Sequence, residues 1–201
     1  YDAIRGATKQ ISSDNNEEEK TKTDGLESFD SDGFTVGSEN PVNENLDGLV
    51  AWNWKANGSG SANSDGNMDS TVSVNTTAGF SIVKYVGHSN GASNGTVGHG
   101  LSEAPTMIIW KELTVTGNNW NVYNVDVGKA ERLELNTTDA EASDTYMMHD
   151  TLPTASVFSV GDSGETNSNG DDHIAYCFHS VEGYSKIGSY TGNGSADGPM
   201  V

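Results

Sequence analysis

The stretch Asp171–Gly198, DDHIAYCFHSVEGYSKIGSYTGNGSADG, decides the fold because an earlier part of the chain contains a version of it. Its segment IAYCF at 174–178 lies 124 positions after VAWNW at 50–54. The same offset relates FSVG at 158–161 to FTVG at 34–37. One offset shared by separate segments indicates that the chain uses a single structural unit more than once.

A second correspondence follows directly after the first one. GYS at 183–185 repeats GFS at 79–81, and Tyr190 repeats Tyr85, at an offset of 104 to 105. The offset is shorter here because the first copy contains additional sequence at about residues 57–78. We therefore expect one complete unit together with a partial copy of it.

These repeats divide the chain into four predicted regions. Residues 1–57 are the back half of a first unit, and residues 58–78 are a Gly/Ser/Asn linker with one weak strand near Thr71–Val74. Residues 79–190 form a complete unit, and residues 191–201 lead into a further one. Because the first unit lacks its front strands, we expect an upstream segment, the second unit or a neighbouring chain to cover it.

Composition predicts an all-β protein. Hydrophobic residues make up 33% of the 201 residues, and 24 glycines accompany many Asn, Ser and Thr residues, which are weak helix formers. Cys177 is the single cysteine, so no disulfide forms within the chain. The net charge of -19 argues against nucleic acid and anionic membranes as partners, and no apolar run has the length of a membrane span.

Alternating side chains predict the walls of an antiparallel β-sandwich. In Leu49–Lys55, the bulky residues Val50, Trp52 and Trp54 share one face of a strand. Thr106–Lys111 is the most apolar run and is typical of a central strand buried on both faces. Further strands are expected at Phe34–Val36, Gly79–Gly87, Asn119–Val127, Arg132–Leu135, Val157–Val160 and His173–His179, with a turn-rich loop at Ser89–Gly95. The predicted core of the complete unit includes Phe80, Ile109, Val122, Phe158, Tyr176 and Phe178.

Two pairs of carboxylates are the candidate metal ligands. Asp30 and Asp32 lie in DSDG, and Asp171 and Asp172 lie in GDD, so both pairs occupy loop sequences that suit the oxygen preference of Ca²⁺. DSDG lacks the remaining spacing of an EF-hand loop. Ordinary Asx turns are therefore the favoured interpretation, and no cofactor other than Ca²⁺ is considered.

Trp52 and Trp54 are the candidate carbohydrate-binding residues. If they are exposed, their rings are able to stack on sugars, as they do in carbohydrate-binding modules. Their alternation with small or polar residues favours core packing instead.

Residue types used by hydrolases are present without a recognisable catalytic arrangement. Glu134 and Glu141 are adjacent only if the fold brings them together, and GDSG at 161–164 lies at a turn that copies VGSE in the first unit. The histidines at 88, 99, 173 and 179 lack the spacing of a zinc site. We therefore predict no catalytic residues and no enzyme activity, with a depolymerising glycosidase as the least favoured alternative.

Several motifs together resemble a repeat of large virion proteins from marine tailed bacteriophages, described as tail-fibre-like or structural. They are FDSDGFTVGS, VAWNWKANG, NTTAGFSIVKYVG, LNTTDAEASDTY and, most specifically, the segments Thr96–Lys111 and Ile174–Pro199. The resemblance covers nearly the whole chain, from about Arg5 to Val201. It implies a concanavalin A-like, laminin G-like jelly roll, and it supplies no catalytic or ligand residues.

The resemblance also implies a place and partners for the protein. It points to a non-enzymatic structural module outside the cell, in the tail fibre or another appendage of the phage particle. Other virion proteins and further copies of the chain, in a homo-oligomer, are then the expected partners. A receptor module that recognises glycans of the host surface, assisted by Ca²⁺ or not, is the alternative.

Overall fold

A computed structural model describes residues 1–88 and 94–200. The loop predicted at Ser89–Gly95 therefore lies mostly outside the described residues. The strands are β1 Lys9–Gln10, β2 Lys20–Thr21, β3 Leu26–Phe29, β4 Phe34–Val36, β5 Ser61–Asn63, β6 Ser70–Asn75, β7 Phe80–Val86, β8 Gly95–Gly98, β9 Met107–Glu112, β10 Asn121–Asn124, β11 Glu131–Glu134, β12 Ala142–Ser143, β13 Val157–Val160 and β14 Asp172–Phe178. The single-turn helices are α1 Asn40–Asn43 and α2 Gly164–Asn167. In the described part of the chain, neither has the length or apolar character needed to cross a membrane.

Eight antiparallel strands form the main sheet, in the order β12-β11-β10-β9-β14-β7-β6-β5. The longest pairing joins β14 to β7, where Phe178 lies opposite Phe80 and Ala175 lies opposite Val83. On its other edge β14 pairs with β9, which confirms the prediction of a central strand at Thr106–Lys111. The sequentially distant strands β7, β9 and β14 thus form the centre of the sheet.

A smaller sheet made of β8 and β13 packs on one face of the main sheet and completes an all-β antiparallel sandwich. The core between the two layers contains Trp110 of β9, Tyr85 of β7 and Phe158 of β13, all nearly inaccessible to solvent. The ring of Phe158 meets those of Trp110 and Tyr85 edge-on, at centroid distances of 5.6 and 5.9 Å. Such edge-to-face contacts and the buried aromatic area stabilise the packing of the two sheets.

The N-terminal segment covers the opposite face of the main sheet. Ile4 and Ile11 pack against a cluster of buried side chains from β7, β14 and the end of β9. Trp120 donates a hydrogen bond from Nε1 to the carbonyl oxygen of Ser12 at 2.8 Å and stacks on Tyr176. The first residues of the chain are therefore part of the complete sandwich, whereas the sequence placed them in a separate half unit.

The six predicted core residues divide between the two faces of the sheet. Phe80, Val122 and Phe158 are buried, as predicted. The other three, Ile109, Tyr176 and Phe178, are only partly buried. Phe158 belongs to the inner core, whereas the other five residues share the face that the N-terminal segment covers, since Ile109 lies opposite Val122 and Tyr176, and Phe178 lies opposite Phe80.

The prediction that residues 58–78 are a linker with one weak strand is wrong, because the segment forms two strands of the main sheet. It contains β5 and β6, and β6 includes the weak strand expected near Thr71–Val74. β6 pairs with β7 over six residues, so both strands extend the main sheet. Val72 is buried and Val74 packs against the inner core, which gives this polar segment enough apolar contact to form a strand.

Candidate functional site

Leu49–Lys55, called here the tryptophan segment, is the most prominent exposed feature of the molecule. It has no regular secondary structure, although the sequence predicted a strand there. Trp52 is 76% exposed, Trp54 is 61% exposed and Val50 is 79% exposed. The prediction that these side chains pack in a core is therefore wrong for this chain.

One end of the tryptophan segment is attached to the sandwich. The ring of Trp54 contacts Phe178 edge-on, at a centroid distance of 6.3 Å. The side-chain amide of Asn75 donates to the carbonyl oxygen of Lys55 at 3.1 Å, and Ala56 packs on the outer face of the main sheet. Trp52 and Val50 extend from this anchor into solvent, so an apolar surface is held next to the end of β14.

The sequence counterpart of this segment behaves in the opposite way. Ile174, Ala175 and Cys177 of β14 are completely buried at the centre of the sheet. Nearly the same pattern of residues thus forms a buried strand at 174–178 and an exposed segment at 50–54. Two exposed indole rings two residues apart are able to stack on a sugar or to bind a complementary protein surface.

Asp30 and Asp32 occupy the turn between β3 and β4. Asp30 accepts hydrogen bonds from the hydroxyl groups of Ser28 and Thr35, both at 2.9 Å, and its amide donates to Gly33. Asp32 is exposed at the tip of the turn. These contacts engage both oxygens of Asp30 and fasten it to the two strands of the hairpin, and they are not those of the Asx turn that the sequence favoured.

Asp171 and Asp172 direct their carboxylates to different partners. The hydroxyl of Ser168 donates to Asp171, and Lys84 of β7 forms an ion pair with Asp172 at 2.8 Å. In residues 1–88 and 94–200, no group of three or more His, Cys, Asp or Glu side chains is placed to hold a metal ion. The structure does not bring the two predicted pairs together into one site.

The Lys84–Asp172 ion pair separates two shallow clefts beside the main sheet. One, of about 440 Å³, is lined mainly by residues of β5, β6 and the turn between them, such as Asn63, Asp69 and Ser70. The other, of about 470 Å³, lies between the N-terminal segment and β7 and includes Arg5. Neither contains any of the predicted carbohydrate-binding residues.

Of the residues considered for catalysis, Glu134 forms defined contacts with its neighbours. Glu134 accepts a hydrogen bond from the side-chain amide of Asn119 and pairs with Arg132, while Glu141 is exposed. In the GDSG motif, Ser163 precedes the short helix α2. A catalytic pairing of Glu134 with Glu141 has no support in these contacts.

Two of the four histidines that were considered as zinc ligands are buried and have defined partners on both ring nitrogens. His99 lies within 3.1 Å of the Thr154 carbonyl oxygen through Nε2, and its Nδ1 accepts the amide of Leu101. His173 lies beside the carbonyl oxygen of Asp171 through Nδ1, and its Nε2 accepts the amide of Ser168. Burial lowers the pKa of both histidines, against the smaller raising effect of the carbonyl oxygens. Both rings are therefore neutral and serve as hydrogen-bonding elements of the core.

A comparison with protein families matches residues 1–201 to the Domain of unknown function (DUF7483). The chain belongs to the DUF7483 family. No curated protein and no solved structure matches it. The family description states no activity, so the function of this DUF7483 domain has to be inferred from its own residues.

The sequence did not identify two features of this DUF7483 domain. Tyr184 and Tyr190, which copy the buried Phe80 and Tyr85, are 72% and 69% exposed. A buried ion pair joins Asp2 to Arg5 at 2.5 Å on the outer face of the main sheet. The repeat was the signal for the tyrosines, whereas no local pattern distinguished Asp2 from an ordinary surface carboxylate.

Proposed function

We propose that this DUF7483 domain is a non-enzymatic structural module of a bacteriophage particle, in a tail fibre or another appendage. The exposed tryptophan segment carries the proposal, because it is a sequence copy of the central strand β14. A module of this kind acts by repetition and by contact between units rather than by chemistry. The resemblance to virion repeats supports the location outside the cell.

The energetics favour a contact at this surface. Burying an aromatic or branched side chain stabilises a protein by about 1.5–3 kcal/mol. Val50, Trp52 and Trp54 forgo most of that stabilisation in the isolated chain. An assembly that covers these three side chains recovers it, and the other proteins of a phage particle or further copies of this chain are the partners that we propose.

Purified particles provide the test of the location. Phage particles should be banded by density, their proteins identified by mass spectrometry, and an antibody against the 201-residue chain applied in electron microscopy. We expect the chain in the particle fraction and antibody labelling at a fixed site on the tail. A chain found only in the soluble lysate, together with a non-structural phage protein used as control, would overturn the proposal.

Carbohydrate recognition is the second candidate function, and the exposure of Trp52 and Trp54 favours it. The test is binding of the chain to host surface polysaccharide and to a glycan array, with and without Ca²⁺. Under this hypothesis Trp52→Ala reduces glycan binding at least tenfold, because the stacking of the indole ring on the face of a sugar is lost. Tyr146→Ala, which changes an exposed aromatic residue elsewhere, is the matched control. Equal binding by both variants would exclude the tryptophan segment as a sugar site.

A further inference from the structure

Gly183–Tyr190, called here the tail segment, corresponds to β7 in sequence and, at its first glycine, in backbone conformation. Gly79, just before β7, has φ of +64°, and its counterpart Gly183 has φ of +74°. Both values lie in the left-handed region that glycine adopts without strain. The tail segment thus begins at a glycine with positive φ, and β7 directly follows one. Ser185 forms an isolated antiparallel bridge with Val181, and the rest of the tail segment has no strand partner among the described residues.

Gly79 is closely packed, whereas Gly183 has open space around it. A Cβ atom on Gly79 would lie 2.6 Å from the carbonyl oxygen of His179, because the end of β14 passes directly over it. A Cβ atom on Gly183 would have nothing within 4 Å. The position that a neighbouring strand occupies beside Gly79 is thus open beside Gly183.

The two exposed segments are copies of the two strands that pair at the centre of the sheet. The tail segment copies β7, and the tryptophan segment copies β14. β7 itself has no free edge, because β14 and β6 occupy both of its sides. The tryptophan segment therefore requires a second β7-like strand, and the tail segment requires a second β14-like strand.

We propose that the tail segment of one copy pairs antiparallel with the tryptophan segment of a second copy of this chain. The β7–β14 register transfers directly to the copied residues, since Phe178 lies opposite Phe80, Cys177 opposite Ser81 and Ala175 opposite Val83. It places Trp54 opposite Tyr184, Asn53 opposite Ser185, Trp52 opposite Lys186 and Ala51 opposite Ile187. The pairing replaces the local backbone hydrogen bonds between Ser185 and Val181. This inference rests on the proposed role as a repeated structural module and gives that module its contact surface.

The chemistry of the two segments fits this register. The bulky face joins Trp52 and Trp54 to Tyr184 and Lys186, as Phe178 and Phe80 meet at 4.9 Å in the sheet. A lysine over an indole ring adds a cation–π contact. The opposite face carries smaller residues, among them Ala51 and Ser185. Cross-strand pairs of this kind stabilise antiparallel sheets.

Charge and area also favour a second copy as the partner. Neither segment contains Asp or Glu, although the chain carries a net charge of -19, so two copies meet here without opposed carboxylates. Aromatic side chains bury about 150–250 Å² each, so four largely exposed rings supply on the order of 400–700 Å². A specific interface buries roughly 1,000 Å² or more. The paired backbones and the aliphatic side chains of the two segments supply the remaining buried area.

The position of the segments allows a reciprocal exchange. Trp54 contacts Phe178, and the tail segment starts five residues after Phe178. Both segments thus leave the sandwich near the end of β14. Two copies are able to exchange tails at this end, which doubles the buried area and closes the assembly as a dimer.

Cysteine cross-linking tests the register. The Asn53→Cys chain is mixed with the Ser185→Cys chain under mild oxidation, and we expect a disulfide-linked heterodimer. Asn53→Cys mixed with Lys186→Cys is the matched control, because Lys186 lies on the opposite strand face and should cross-link at least tenfold more slowly. The natural thiol of Cys177 does not interfere, because it is completely buried and burial raises its pKa.

Sedimentation velocity provides the second measurement. We expect a concentration-dependent dimer whose dissociation constant rises at least tenfold in Trp52→Asp and is unchanged in the control Tyr146→Asp. A monomer at all concentrations without cross-linking would overturn the inference. Cross-linking only within a chain that carries both cysteines would also overturn it, since the tail would then pair with its own chain. A monomer that is nevertheless found in phage particles would refute the pairing and leave the proposed function intact.

Discussion

The hydroxyl of Tyr176 donates a hydrogen bond to Oδ2 of Asp2 at 2.8 Å, across 174 residues of sequence. Asp2 also pairs with Arg5, whose guanidinium reaches Glu19 at 3.1 Å. Burial alone would raise the pKa of Asp2, but the charge of Arg5 and the hydrogen bonds from Arg5 and Tyr176 lower it. This network fastens the N-terminal segment to the central strand β14.

Removing the hydroxyl of Tyr176 should loosen that attachment. We expect Tyr176→Phe to lower the free energy of unfolding by about 1–3 kcal/mol, because a buried carboxylate loses one of its donors. Urea denaturation measures the change. Tyr184→Phe removes an exposed hydroxyl and should change the free energy of unfolding by less than about 0.5 kcal/mol. Equal stability of the two variants would contradict the structural role of the network.

The four tryptophans should differ sharply in their contribution to stability. Trp110 is completely buried between the two sheets, so Trp110→Ala should cost about 3–5 kcal/mol through lost burial and a cavity. Trp52→Ala should change the stability of the monomer by about 0.5 kcal/mol or less. Thermal and urea unfolding at low protein concentration compare the two. A large loss in Trp52→Ala under these conditions would show that the isolated chain covers its own tryptophan segment.

Stability should fall with acidification below about pH 6.5 because of two buried histidines. His99 and His173 have lowered pKa values when folded, whereas the unfolded residues titrate near 6.5. The unfolded chain therefore binds more protons as the pH falls below 6.5, and each histidine removes up to about 1.4 kcal/mol of stability per pH unit. Their stabilising contribution is complete above that pH.

Melting temperatures at pH 7.5, 6.5 and 5.5 measure this dependence. His173→Gln should reduce the slope between pH 6.5 and 5.5, even where it also lowers stability at pH 7.5. His149→Gln is the control because His149 is exposed, and its slope should match that of the unmodified chain. A melting temperature that stays constant over this range would contradict the assignment of neutral buried rings.

Calcium should bind weakly or not at all at the predicted carboxylate pairs. Asp30 is engaged by two hydroxyl groups and Asp172 by Lys84, so neither pair offers the six or more oxygens that Ca²⁺ requires. Calorimetric titration should give no dissociation constant tighter than about 10⁻⁴ M. Submicromolar binding that Asp171→Ala abolishes would show that the loops rearrange around the ion.

Local patterns in the sequence were sufficient to locate the three central strands of the main sheet and strands of two smaller sheets. The strands β4, β7, β9, β13 and β14 lie where alternation and apolar runs predicted them. Thr106–Lys111 was correctly placed at the centre, because a strand that is apolar on both faces has to be covered on both. These properties depend on neighbouring residues along the chain, and the sequence contains them in full.

The linker prediction failed because it depended on local composition alone. Residues 58–78 are rich in Gly, Ser and Asn, yet they form β5 and β6. The edge of β7 that β14 does not occupy pairs with β6, and Val72 reaches the inner core. An available sheet edge was thus sufficient to order a segment with weak strand propensity, and no local pattern reveals such an edge.

The sequence by itself determined that residues 50–54 and 174–178 are copies with the same strand pattern. Only the tertiary structure decided that residues 174–178 form a central strand and that residues 50–54 remain exposed. Residues 172–178 pair with β7 on one side and β9 on the other, and the remaining edges of those strands are taken by β6 and β10. No edge of these central strands is left for Val50, Trp52 and Trp54. Strand formation requires a free partner as well as a suitable sequence, and the number of free edges is a property of the whole fold.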